Sequence, residues 1–294
     1  MFARKPIYTP PTHRLRLLAP PLMRRENRTD NEALIRARCI TAYLGESTAL
    51  CRILGRYKLF VDTQDAGLSV HLMLDGYWEM WLTEVLAEFV KPGMVVADIG
   101  ANLGYFSMLL ADLVGDRGRV HAIEPNAALA QRLRKSARAN GYERIIEISE
   151  DALGDVDGGL FHFVIPPTDP KNGHLIPIEF APLADAAELI GTRRLDGFPA
   201  LMDVDIVKID ADTAERAIWR GMRGIFDRGR PMTVFLEFTA ERYADTGAGA
   251  FVDEITAEGF TIARVDPAEG VIEWSKEAIL AFPANEDQIL ILRR

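Results

Sequence analysis

The run Asp98-Ile99-Gly100-Ala101-Asn102-Leu103-Gly104-Tyr105 brings a carboxylate, two glycines and an asparagine into one short stretch. Gly100 lets the backbone leave a strand with no Cβ in the way, and Gly104 lets a helix begin close to a bound molecule. Glu124-Pro125-Asn126 follows about 20 residues after Gly104, the spacing at which an acidic side chain accepts ribose hydroxyls. Asp151-Ala152-Leu153 comes next, where a carboxylate and backbone groups suit an adenine amino group. Together these stretches describe a nucleoside site. Asp210, Glu237 and His174 are the residues able to act as a base beside it. Asp210 has the best position of the three, at a strand end, and helix capping is its competing role.

The turn narrows the nucleoside. A dinucleotide fold wants Gly-x-Gly-x-x-Gly, so that the backbone can approach a pyrophosphate. Here Asn102 replaces the middle glycine and the third falls one residue early. Asp98 adds negative charge that suits a sulfonium or an ammonium better than a phosphate. S-adenosylmethionine carries both cations.

These residues need a sheet to hold them. From Lys91 onward apolar β-branched runs alternate with helical spacing, which implies a parallel sheet with right-handed crossovers. Strands are expected at 95–99, 119–124, 144–149, 204–209, 232–238, 259–265 and 287–292, with the last two able to close the sheet as an antiparallel hairpin. Helices are expected at 104–115, 126–140, 213–228 and 247–258. Between about 155 and 200 the alternation breaks at Pro166-Pro167, Pro170, Pro177 and Pro182. That insertion, with a strand at 160–165 and a helix at 184–190, reads as a substrate-side surface.

Upstream, 31–44 suits an amphipathic helix with Asp30 as N-cap and Gly45 as stop. Residues 55–61 and 68–74 read as a β-hairpin. Tyr77-Trp78-Glu79-Met80-Trp81 opens a helix whose aromatics are able to line a pocket or fill a core. Residues 1–30 form a Pro-containing basic arm, expected to be extended, with a dimer contact or an anionic surface as its alternative roles. The domain plan is thus an arm at 1–30, a helix and hairpin extension at 31–90, and a catalytic domain at 91–294.

Composition removes several classes. The 294 residues carry a net charge of −9, which argues against a nucleic-acid-binding protein. No apolar run is long enough to span a bilayer. Only Cys39 and Cys51 are present, and the arm lacks an unbroken apolar leader segment, so the expected location is cytoplasmic. No His/Cys cluster has zinc spacing, although Asp210, Asp212 and Glu237 supply oxygen ligands for a divalent ion.

Gly76-Tyr77-Trp78-Glu79, the Asp98–Ser107 run, Glu124-Pro125-Asn126, Ala152-Leu153-Gly154-Asp155, Arg194-Leu195-Asp196 and Val207-Lys208-Ile209-Asp210 together resemble the FkbM-type class I methyltransferases over roughly 76–238. The resemblance implies a Rossmann-like α/β fold with a seven-stranded sheet of order 3-2-1-4-5-7-6. It also implies S-adenosylmethionine as donor and O-methylation of a sugar or another small hydroxylated acceptor. Carried onto this chain, it implies a cofactor site of Trp78, Glu79, Asp98, Gly100, Asn102, Gly104, Tyr105, Glu124, Pro125, Asn126, Asp151, Ala152, Leu153 and Asp210. The family's Lys-Ile-Asp-Val-Glu-Gly-x-Glu is here Lys208-Ile209-Asp210-Ala211-Asp212-Thr213-Ala214-Glu215, with Asp for Glu and Thr for Gly. Two other readings compete: a nicotinamide-dependent oxidoreductase of similar fold, and a non-catalytic cofactor-binding module that acts in assembly, with homo-oligomer contacts through the N-terminal region.

Overall fold

The computed structural model describes residues 18–166, 173–180, 187–244 and 246–294. Most of the basic arm and two parts of the insertion, 167–172 and 181–186, lie outside the described residues.

The first described residues are ordered. Short 3-10 turns at Pro20–Leu22 and Arg25–Asn27 lead into α1 (Arg28–Arg38). Leu18 and Met23 are buried, and Arg28 pairs with the buried Glu84. The expected helix over 31–44 therefore starts earlier and ends earlier. Residues beyond it form β1 (Thr41–Gly45), which joins β2 (Thr48–Ile53) and β3 (Tyr57–Asp62) in an antiparallel sheet of order β1-β2-β3. Glu46 and Ser47 both have positive φ, as a two-residue type I′ turn demands, but Glu-Ser is not a residue pair that announces one. The expected second hairpin strand at 68–74 is instead α2 (Ser69–Leu74). Its alternating apolar residues imitate a strand, yet Asp65 accepts the backbone N–H groups of Gly67, Leu68 and Ser69 and fixes a helix start.

After α3 (Met80–Phe89) come β4 (Val95–Ile99), α4 (Tyr105–Val114), β5 (Arg119–Ile123), α5 (Ala127–Asn140) and β6 (Ile146–Ser149). The insertion forms a second sheet from β7 (Ala152–Leu153), β8 (Leu160–Val164), β9 (His174–Pro177) and β10 (Ala187–Arg193), ordered β7-β10-β8-β9. Residues 187–190 are thus strand, not helix: β10 pairs antiparallel with β8 and parallel with β7, and these pairings override the local helical spacing.

The main sheet resumes with β11 (Ile206–Ile209), α6 (Glu215–Arg220), α7 (Arg223–Phe226), β12 (Thr233–Phe238), α8 (Ala248–Ala257), β13 (Thr261–Asp266), β14 (Gly270–Glu273), α9 (Lys276–Ala281) and β15 (Gln288–Arg293). Its order is β14-β13-β15-β12-β11-β4-β5-β6, eight strands where seven were expected, because β14 folds back on β13 at one edge. The strands expected at 259–265 and 287–292 do pair antiparallel, as β13 and β15; β15 lies between β12 and β13, and β14 takes the edge outside them.

The single helix expected at 213–228 is two. Gly221 approaches the Gly154 carbonyl so closely that a Cβ would sit 2.2 Å from its oxygen. Asp196 then accepts the Gly224 N–H at 2.8 Å and is itself gripped by Arg194. The Arg194-Leu195-Asp196 motif therefore anchors the start of α7 under the insertion. On the other side of the sheet α5 covers the free edge of β3: Ser136 and Asn140 accept the Phe60 and Lys58 N–H groups, and Arg132 pairs with Asp62. The extension and the α4/α5 face of the main sheet share one apolar cluster, while α6 to α8 bury a second against the opposite face.

Candidate active site

The C-terminal ends of β4, β5, β11 and β12 open onto one cavity of about 320 Å³, roofed by β8 and β9. Trp78, Glu79, Gly100, Asn102, Tyr105, Glu124, Pro125, Asp151, Ala152, Leu153 and Asp210 line it, as do His174 and Glu237. The sheet thus gathers residues spread over 160 positions of chain into one wall, because parallel strands all end on the same edge. Of the three aromatics opening α3, only Trp78 lines the cavity; Tyr77 hydrogen-bonds Arg36, and Trp81 packs against the core.

Asp98, Gly104 and Asn126 stand behind that wall. Asn126 caps α5, its Oδ1 accepting the Ala128 N–H at 3.0 Å and the Leu129 N–H at 3.4 Å. Gly104 is needed by packing: a Cβ would lie 2.1 Å from Leu133 Cδ1 of α5. Gly100 is needed for the same kind of reason, since its Cβ would lie 1.7 Å from the Asp210 carbonyl oxygen. Both glycines make room for protein; for Gly104 the sequence suggested room for a ligand, and the space is taken by Leu133.

Asp98 is 1% exposed, and its Oδ2 accepts the Ser107 hydroxyl at 2.6 Å. Its Oδ1 has no hydrogen bond, and the nearest cation is Lys208 Nζ at 3.7 Å. Burial raises the Asp98 carboxyl, and Lys208 and Ser107 oppose that rise. Lys208 is 3% exposed, donates to Asp210 at 3.1 Å and lies 5.2 Å from the Phe106 ring. The charge of Asp98 is therefore answered from within the protein, which corrects the expectation that it faces a ligand cation.

Glu124, unlike Asp98, lines the cavity. One oxygen accepts the Asn102 N–H at 2.9 Å and the other the Asn126 N–H at 2.8 Å, leaving each a free lone-pair direction. Asn102 tolerates the left-handed φ of 53° that aims its N–H there. Burial pushes the Glu124 carboxyl up to about 7, against those two hydrogen bonds. Asp151 is braced at the third strand end by Arg193 at 3.1 Å and by the Ser149 hydroxyl.

At the far end, Glu237 is bound by Arg242, a residue the sequence gave no reason to single out. Burial and the Asp210 carboxylate push Glu237 up, while Arg242 pulls it down. Asp212 and Thr213 form the turn after β11 with φ of 41° and 83°. A β-branched residue pays strain in the left-handed region, where the family's glycine is relaxed. Thr213→Gly is expected to stabilise the chain by about 1 kcal/mol, the relief of strain exceeding the extra entropy of unfolded glycine, and to raise Tm by roughly 2–4 °C in a thermal melt. Among the described residues no group of three or more His, Cys, Asp or Glu is arranged to hold a metal ion, and no helix is long and apolar enough to cross a membrane.

The chemistry of the cavity fits S-adenosylmethionine. Glu124 offers two acceptors to a ribose, Leu153 and Ile123 give an apolar flank for a purine, and carboxylates outnumber cations around the remainder. The family match agrees. Residues 98–262, more than half of the chain, match the methyltransferase FkbM domain. A protein-L-isoaspartate O-methyltransferase of Aeropyrum pernix is 41% identical over 70 residues, 24% of this chain and 26% of that protein. Its counterpart in Methanothermobacter thermautotrophicus is 33% identical over 72 residues, 24% of this chain and 33% of that protein. The chain therefore spans only about a quarter to a third of the length of these curated relatives. An O-methyltransferase from Bacillus cereus solved in complex with SAH aligns at a TM-score of 0.41 and 13% identity, covering 79% of this chain and 83% of that one. The family match removes the oxidoreductase reading, and with it this chain is identified as a member of the FkbM family of S-adenosylmethionine-dependent methyltransferases.

Proposed function

We propose that the chain transfers the methyl group to a hydroxyl of a sugar, a glycan unit or another small hydroxylated acceptor. The observation that carries this reading is that proton-accepting side chains share one cavity with Glu124: Asp210, Glu237 and His174 line its far end. When bound, S-adenosylmethionine supplies a methyl group already activated on a sulfonium. What remains for the protein is alignment and removal of one proton. Glu124 holds the ribose and so fixes the donor along the strand ends. Among the acids, Asp210 has one oxygen occupied by the Lys208 ammonium. Glu237, raised by burial, is better matched to a hydroxyl proton once ionised, and His174 on β9 reaches the same space from the roof.

Calorimetry with S-adenosylhomocysteine tests the donor half. Glu124→Ala removes two charge-assisted hydrogen bonds and is expected to weaken binding by about 2–3 kcal/mol, roughly 30- to 150-fold. The ionised carboxylate is the form with both acceptors available, and burial pushes the group up to about 7, so wild-type affinity should rise as pH goes from 6 to 8. Glu124→Gln should bind weakly with no such rise. Affinity that is unchanged in both variants would remove Glu124 from the site. The acceptor half is tested by methyl incorporation into a panel of mono- and oligosaccharides. Cofactor binding with no turnover on any of them would favour the assembly-module reading.

A further inference from the structure

Arg242 lies in the 3-10 turn Ala240–Tyr243 that follows β12, and its guanidinium gathers four carboxylates from four separate elements. It bonds Glu237 at the end of β12 and stands 3.5 Å from Glu215, the first residue of α6. Asp212 in the strained turn after β11 and Asp287, just before β15, are each 3.8 Å away. Glu215 is completely buried, and its oxygens also take the Ala211 N–H and the Tyr243 hydroxyl. Four acids brought so close repel one another, and a planar five-donor fork is the side chain able to bridge them.

We infer that Arg242 is a positioning residue of the acceptor end, which fixes the direction of the Glu237 carboxyl and draws the surrounding acids of four elements together. The inference rests on the reading of Glu237 as a proton acceptor given above. The charged groups facing Glu237 are Asp210 with its partner Lys208 on the β11 side, Glu215 from α6, and Arg242. Without Arg242 every remaining neighbour except Lys208 would favour the protonated form of Glu237. An ionised Glu237 receives the hydroxyl proton of the acceptor as the new carbon–oxygen bond forms, and the carbon–sulfur bond of the donor breaks with its electron pair left on sulfur.

The test is a carboxyl-carbon NMR titration of the full chain labelled at glutamate, with the Glu237 signal assigned by its loss in Glu237→Gln. In Arg242→Met the Glu237 midpoint should rise by about one pH unit or more, and in Arg242→Lys by less than half of that rise. Calorimetric affinity for S-adenosylhomocysteine should stay within about threefold of wild type in both, since the donor is held at the other end of the cavity. A midpoint that does not move in Arg242→Met overturns the inference. Should that variant fail to fold, Arg242→Gln takes its place, with the same rise expected, and an unshifted midpoint there overturns the inference equally. Failure of the methyltransferase reading would appear differently, as a wild-type chain that does not bind S-adenosylhomocysteine whatever the Glu237 midpoint.

Discussion

Lys208→Met should destabilise the chain by about 3–5 kcal/mol, because it leaves the carboxylate of Asp98 buried without its cation. Methionine fills the space of the lysine stem, so the loss reports charge more than volume. The effect should depend on pH in a defined direction. Burial already raises the Asp98 carboxyl above its unfolded value, and removing Lys208 raises it further. A carboxyl raised on folding binds protons more tightly in the native state, so stability falls as pH rises from the unfolded pKa through the folded one. Urea unfolding should therefore find the Lys208→Met deficit smallest near pH 4 to 5 and largest once Asp98 is forced to ionise. Adding Asp98→Asn to Lys208→Met should recover much of the loss, since a neutral amide keeps the Ser107 contact and needs no cation. A deficit that is independent of pH, or no recovery in the double variant, would show that the pair acts through packing alone.

Gly100→Ala should be comparably severe for a different reason. The added Cβ would lie 1.7 Å from the Asp210 carbonyl oxygen and 2.8 Å from its carbon, and the residue has φ of 71°. Backbone strain contributes about 1 kcal/mol and the forced separation of β4 and β11 another 1–3 kcal/mol, so a loss of roughly 2–4 kcal/mol is expected. The separation moves Asn102 away from Glu124, and calorimetric binding of S-adenosylhomocysteine should drop beyond detection. Gly141→Ala is the control: Gly141 has a similar φ of 78° at the end of α5, but its Cβ would meet nothing within 4 Å. It should lose only about 1 kcal/mol and bind normally. If both variants bind alike, the close approach at Gly100 has no part in shaping the site.

Much of the sheet was readable because its strands are short apolar runs bounded by turn residues, and this pattern is local. Val95–Ile99 and Thr233–Phe238 are buried along nearly their whole length, and their β-branched and aromatic content agrees with their place in the centre of the sheet. The misread elements are those in which a distant contact outvotes a local pattern. Residues 187–190 have helical spacing but are claimed by β8, and 68–74 alternates like a strand but is capped by Asp65. β14 is four residues long and has meaning only as the partner of β13.

The sequence by itself determined which residues meet at the strand ends. Asn102 in place of a glycine, Glu124 at its spacing and Asp151 beyond the third strand are statements about residue type and separation, and parallel strands must bring their ends to one edge. Tertiary structure alone decided which carboxylates line the cavity and which are answered inside the protein. Asp98 is neutralised by Lys208 from a neighbouring strand, while Arg242 ties together Glu237, Glu215, Asp212 and Asp287 from four elements. Charge pairing of this kind depends on distance and burial through space, and neither quantity is written in the order of residues along the chain.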